Sequence, residues 1–118
     1  MQELFKTIGG VEGISKFLDE FYPIMLNDDR VNEYFKDIDL KTLKSHQTFF
    51  LSYVFGGVPE YSRDSLNEPH KRLKITDEVF DITLNNMLKA FKAIEVDKRS
   101  IIAAMSILES TRSDIVSN

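Results

Sequence analysis

Apolar residues in this chain recur at three- and four-residue intervals along most of its length. Nowhere do they alternate with period two for long enough to make a strand, so the chain is expected to be all-α. Ile14, Phe17, Leu18, Phe21, Tyr22 and Met25 form one stripe through residues 11–27. Asn27-Asp28-Asp29-Arg30 reads as a connection, followed by a small helical stretch with Val31, Tyr34 and Phe35. Leu43, His46, Gln47, Phe50, Leu51 and Val54 share a face of residues 40–55. Phe80, Leu84, Met87, Leu88, Phe91 and Ile94 do the same over 77–94, with Thr76 as N-cap and Asp77 and Glu78 in the first turn. Ile101, Ile102, Met105, Leu108 and Ile115 mark a last helix over 98–116, capped by Asp97.

Four of the five glycines come as pairs, Gly9-Gly10 and Gly56-Gly57. Each pair is placed to end a helix and turn the chain, because glycine takes left-handed angles without a side-chain clash. The stretch from Val58 to Pro69 is polar and weakly periodic, a loop of a length that is uncommon without a function. The whole, residues 1–118, reads as one domain. A net charge of −4 leaves no excess of cations to neutralise phosphates, so nucleic acid is not an expected partner. No apolar run approaches the ~20 residues that span a bilayer, and the first residues lack the basic start and apolar core of a signal peptide. No membrane partner and a cytoplasmic location are therefore expected. The absence of cysteine removes disulfides, thiolate chemistry and cysteine-based metal sites.

The chemistry-bearing residues are the only two histidines, His46 and His70. Neutral imidazole is the commonest metal ligand. From the residues alone, His46 is either a boundary residue of its stripe or a ligand. His70, in Pro69-His70-Lys71-Arg72-Leu73, is either an exposed helix-start histidine or a ligand.

The order and spacing of several motifs resemble the truncated haemoglobins of the first, or N-type, group. The motifs are Leu4-Phe5…Ile8-Gly9-Gly10, Phe21-Tyr22, Tyr34-Phe35, His46-Gln47…Phe50-Leu51…Phe55-Gly56-Gly57, Tyr61, His70 and Ile75-Thr76-Asp77…Phe80-Asp81. The resemblance covers essentially the whole chain and implies a truncated globin, a two-over-two helical sandwich around haem. The haem would be haem b (iron protoporphyrin IX), held non-covalently, with His70 as proximal iron ligand. The other ring nitrogen of His70 would donate to the carbonyl of Leu66, fixing tautomer and orientation. His46 would be the distal sixth ligand when no gas is present, giving a reversibly six-coordinate, bis-histidine haem. Tyr22 and Gln47 would stabilise bound dioxygen. Phe35, Leu43, Phe50, Leu73, Ile75, Phe80 and Leu84 would wall the pocket. Arg72 and Tyr61, with Lys44, Arg63 and Lys71, would lie near the propionates.

Two features depart from relatives. Pro23 follows Tyr22 inside a helical stripe, where it is expected to bend the helix and bias Tyr22 away from helical angles. The C-terminal segment has no histidine for a covalent haem link. The function implied is reversible binding and transport of oxygen and binding of other diatomic gases, nitric oxide and carbon monoxide among them. Nitric oxide dioxygenase-type detoxification, with an unidentified reductase, would make the protein an enzyme. The alternatives are a haem redox, electron-transfer or peroxidase-like protein, and a cofactor-free helical interaction module. A monomer is expected.

Overall fold

Gly9 and Gly10 allow two helices to meet with no loop between them. In the computed structural model, which describes residues 2–57 and 75–116, α1 (Gln2–Ile8) ends one residue before α2 (Gly10–Leu26) begins. Gly9 sits at φ 111° and Gly10 at φ 65°, angles open to glycine and costly for other residues. The junction is tight enough that Gly13, too, has no room for a side chain. A Cβ there would lie 2.0 Å from the Ile8 carbonyl oxygen.

A 3-10 turn, Asn32–Phe35, leads to α3 (Leu40–Val54), α4 (Asp77–Ala93), α5 (Lys98–Glu109) and the single turn α6 (Arg112–Ile115). The expected caps are present. Thr76 Oγ1 accepts from the Val79 amide at 3.1 Å, and the Asp97 carboxylate from the Ser100 amide at 3.0 Å. Asp39 adds a cap that the stripes did not reveal, accepting from the Lys41 amide at 3.0 Å. Past α3, Gly56 at φ 90° turns the chain as its place in a glycine pair implies.

α2 is the central element. It packs on α3 on one side and α4 on the other, while α4 also packs on α5. The described residues are all helix and connection, with no strand among them. The stripe residues Ile14, Phe17, Leu18, Phe21, Tyr22 and Met25 are all buried. Phe17 stacks on Phe91 of α4 with ring centroids 4.2 Å apart, and Phe55 meets the same ring edge-on at 6.4 Å. The connection after α2 is tied to α4 through Asp28. Its carboxylate accepts from the Arg30 guanidinium at 2.7 Å and from the buried Asn86 amide at 3.1 Å. These hydrogen bonds, from Arg30 first and Asn86 second, hold the Asp28 carboxyl well below the usual carboxylate range.

Three expectations are corrected. α2 continues across Pro23 to Leu26, with Tyr22 inside it. Asp19 and Pro23, one turn apart, are both exposed, so the carbonyl deprived of its amide partner lies on the solvent side. The last helix is not continuous over 98–116 but breaks at Ser110-Thr111, where the Thr111 hydroxyl donates to the Leu108 carbonyl at 2.7 Å. Ile102 is 61% exposed, because the buried face runs through Ser100, Ile101, Ala104 and Leu108.

Gly13→Ala forces a side chain against backbone. It is expected to lower stability by about 3 kcal/mol, the upper part of the overpacking range, measured as a reduced urea midpoint. The Asp28 carboxyl is depressed in the folded state. Its contribution is complete above the ordinary carboxylate value of 3.8 and fades as pH falls toward the lower folded value. Asp28→Asn is expected to flatten the acid limb of the stability–pH curve.

Candidate functional site

The sandwich leaves a cavity between its layers. Its empty space is about 1210 Å³ including the part that opens to solvent. α2 contributes Phe21, Tyr22 and Met25 to the lining, and the 3-10 region Val31, Tyr34, Phe35 and Ile38. α3 contributes Leu43, His46, Gln47 and Phe50. On the far side stand Ile75, Val79, Phe80, Thr83, Leu84 and Met87 around α4, then Leu108, Thr111 and Ile115.

The wall is apolar with few free polar groups. The Thr83 and Thr111 hydroxyls are engaged by their own helices, donating to Val79 and Leu108 carbonyls at 2.8 and 2.7 Å. The Tyr22 hydroxyl differs. It is buried and has no hydrogen-bond partner among the described residues. Burial pushes its phenol well above the ordinary tyrosine value, so it is a neutral O–H donor at physiological pH. An unmade hydrogen bond in an apolar wall costs stability unless a ligand completes it. Tyr22 is held by aromatic contacts, with Phe21 at 5.6 Å and Phe35 at 6.2 Å between ring centroids. His46 lines the cavity yet is exposed, so it stands where the cavity meets solvent. Gln47, next to it, is half-buried.

The sequence singled out Tyr22, Phe35, Leu43, His46, Gln47, Phe50, Ile75, Phe80 and Leu84, and all of them line this one cavity. Tyr61, Leu66, His70, Arg72 and Leu73 lie outside the described residues, as do Arg63 and Lys71. Lys44 is ion-paired with Asp19 of α2 at 2.7 Å. The other lining residues were not singled out as such: Phe21, Met25, Val31, Tyr34, Met87, Leu108 and Ile115 were read only as helix-stripe residues, and Ile38, Val79, Thr83 and Thr111 not at all. Val79 and Thr83 could have been found, because they continue the Phe80-Leu84-Met87 face by one position. Thr111 could not, because its place depends on the break that precedes α6.

The residues present fit a large, mostly apolar group with one polar centre. The cavity walls are aromatic and aliphatic, and the orphaned donor among the described lining residues belongs to Tyr22. An all-helical sandwich around such a cavity is the architecture that a globin-type haem pocket requires. The family model for bacterial-like globins matches residues 3–117. The group 1 truncated haemoglobin of Synechocystis is 30% identical over 98% of both chains. The crystal structure of the truncated haemoglobin of Tetrahymena pyriformis, in its Fe(III) form, superposes with a TM-score of 0.88 at 28% identity, covering 98% of each chain. The 2/2 haemoglobin of Synechococcus, solved in the cyanomet state with covalently attached haem, gives 0.84 at 26% identity over 98% of each chain. The chain belongs to the bacterial-like globins, and within them to the group 1 truncated haemoglobins. Globins bind haem and, through it, diatomic gases such as oxygen. Among the described residues, no helix is long and apolar enough to cross a membrane.

Removing the orphaned hydroxyl removes an uncompensated polar group from the empty cavity wall. Tyr22→Phe is therefore expected to raise the stability of the apoprotein by about 1 kcal/mol, read as a higher melting temperature. An unchanged or lower value would mean that the hydroxyl is already satisfied.

Proposed function

We propose that this globin would hold haem b non-covalently, with His70 as its iron ligand and His46 as a second, displaceable one. The observation that carries the reading is the buried, partnerless hydroxyl of Tyr22 in a cavity that His46 and Gln47 also line. When bound, haem supplies an iron centre that takes diatomic gases and, with oxygen, converts nitric oxide to nitrate. Everything else falls to side chains of this chain.

His70 would bind as a neutral imidazole, with its other ring N–H donating a hydrogen bond to the Leu66 carbonyl. Tyr22 keeps its proton and donates a hydrogen bond to the partial negative charge on a bound gas. Gln47 offers an amide N–H as second donor. In a dry apolar wall these bonds are stronger than in water. His46, at the solvent side of the cavity, competes with the gas for its position. The apparent gas affinity then falls in proportion to the fraction of protein left open. No imidazole is available from the C-terminal helices, since the sequence has none beyond His70, which supports non-covalent retention. Leu43 is apolar, so polar contacts to the gas come from Tyr22 and Gln47 rather than from a third donor on α3.

With nitric oxide and oxygen the product is nitrate. Ferrous haem, once bound, would supply the one electron that nitrate formation needs, and an external reductase would return it. Tyr22 and Gln47 contribute by keeping the oxygen in place until nitric oxide arrives.

The absorption spectrum of the ferrous protein without added gas tests the ligand assignment. A low-spin spectrum that becomes five-coordinate in His46→Leu is expected, and identical spectra in both proteins would remove His46 as ligand. Nitrate formed in stoichiometric yield from the oxygenated protein and nitric oxide, slowed in Tyr22→Phe, is the result expected of a detoxifying enzyme. Release of oxygen without nitrate would leave an oxygen-binding protein.

A further inference from the structure

We propose that Arg112 is a positioning residue, a clasp that holds α6 and Phe80 as one wall of the haem cavity and thereby sets how fast haem leaves. The helix that the stripes of 98–116 suggested is interrupted at Ser110-Thr111, and the chain resumes as the single turn α6. Four residues of helix are far too short to persist by themselves. Something outside the turn must hold it, and Arg112 is the first residue of that turn.

Its guanidinium has five N–H donors, and all five are used. Nε donates to Glu109 Oε1 at 3.1 Å and Nη2 to Glu109 Oε2 at 2.9 Å, a two-pronged grip across the break. Nη1 donates to Asp77 Oδ1 at 3.0 Å and to the Asp77 carbonyl at 3.4 Å. Nη2 also donates to Asp81. Asp77 and Asp81 are one turn apart in the first two turns of α4, so the clasp spans α5, α6 and the start of α4. The guanidinium carbon lies 4.6 Å from the centroid of the Phe80 ring. Phe80 lies in the same turn as the two clasped positions of α4, immediately before Asp81, and it lines the cavity.

The residues that Arg112 secures are thus wall residues. Thr111 precedes it in the chain and Ile115 follows three positions later, and both line the cavity. Loss of the clasp frees Ile115 and Thr111 with α6 and removes the cation from the outer face of Phe80. Isolated exposed ion pairs contribute little. This one differs because a single planar cation is shared among three carboxylates, is only 27% exposed, and covers an aromatic ring. The clasp is therefore expected to be sensitive to salt, since screening shortens from about 10 Å at 0.1 M to about 3 Å at 1 M ionic strength.

The inference rests on haem occupying this cavity, and it is tested on the full haem-loaded chain. Haem transfer to an excess of an apoglobin acceptor is followed at low and high salt, and amide exchange of α6 is followed alongside. Arg112→Ala is expected to release haem about tenfold faster and to speed exchange of the Asp114 and Val116 amides, with α4 amides unchanged. Arg112→Lys keeps the charge but loses the fork, so it should fall between the two. Should Arg112→Ala not fold, Asp81→Asn weakens the clasp at an exposed position and is expected to raise the release rate about threefold. Gly13→Ala, strained far from the cavity wall, provides a destabilised comparison whose haem release should stay within about twofold of the parent. Release in Arg112→Ala or Asp81→Asn within twofold of the parent would overturn the proposal. So would release in Gly13→Ala as fast as in Arg112→Ala, because haem loss would then track global stability. A parent chain that takes up no haem would remove the haem reading first and the clasp with it, whereas a parent that holds haem isolates the clasp.

Discussion

Phe17 of α2 and Phe91 of α4 stack with their rings 4.2 Å apart and 22° from parallel, both fully buried. The rest of the structure depends on this contact, because it fixes the two elements that every other helix packs against. Aromatic stacking adds roughly 0.5–1.5 kcal/mol beyond the burial of the rings themselves. The contact has a directional consequence as well. From Phe17 the aromatic row continues through Phe21, 5.8 Å away, to Tyr22 and then Phe35. The same stripe that makes the core therefore delivers the Tyr22 hydroxyl to the cavity. Core and site are successive turns of one helix, so the position of the donor is set by packing that lies a full turn or more away from it.

Polar anchors then hold what apolar packing alone would leave loose. Asp28 joins the connection after α2 to Asn86 of α4, and the Asn86 amide also points at the Met25 sulfur 3.2 Å away. Since Met25 and the 3-10 region line the cavity, this small network places one wall. Arg112 does the equivalent at the other end through Asp77, Asp81 and Glu109. Each network connects segments distant in sequence, and each sits at a connection rather than within a long helix. Long helices position their side chains by periodicity; short turns need partners.

Much of this was legible in the chain. The stripes over 11–27, 40–55 and 77–94 correspond to α2, α3 and α4; in α2 the buried positions keep a helical period through the whole element, whereas in α3 only Phe50, Leu51 and Ser52 are buried and the rest of the stripe faces the cavity or solvent. Thr76 and Asp97 were legible because capping is local chemistry, decided within three residues. The paired glycines were legible at Gly9, Gly10 and Gly56 for the same reason, each adopting a positive φ. The break before α6 was not. Ile115 keeps the helical spacing from Leu108 that suggested one continuous helix, and Ser110 and Thr111 are residues that many helices tolerate. The bias of Tyr22 away from helical angles was over-read, because α2 continues through Tyr22 and Pro23 with the deprived carbonyl on the solvent side. Periodicity places Pro23 off the buried stripe, but only the packed helix shows Asp19 and Pro23 both turned to solvent.

The sequence established that the described elements are helical and where most of them begin and end; that Tyr22, His46 and Gln47 share one site came from the resemblance of the motif order to a known family. Helix type and boundaries are properties of period and capping, which are written within a few turns of chain. Tertiary structure alone decided that the Tyr22 hydroxyl is left without a partner, that His46 stands at the solvent side of the cavity, and that Arg112 gathers three carboxylates over Phe80. Whether a buried hydroxyl is satisfied depends on every group that packs around it, and Asp77 and Arg112 are 35 positions apart. No local pattern records such an encounter. It exists only once α2, α4 and α5 have closed on one another.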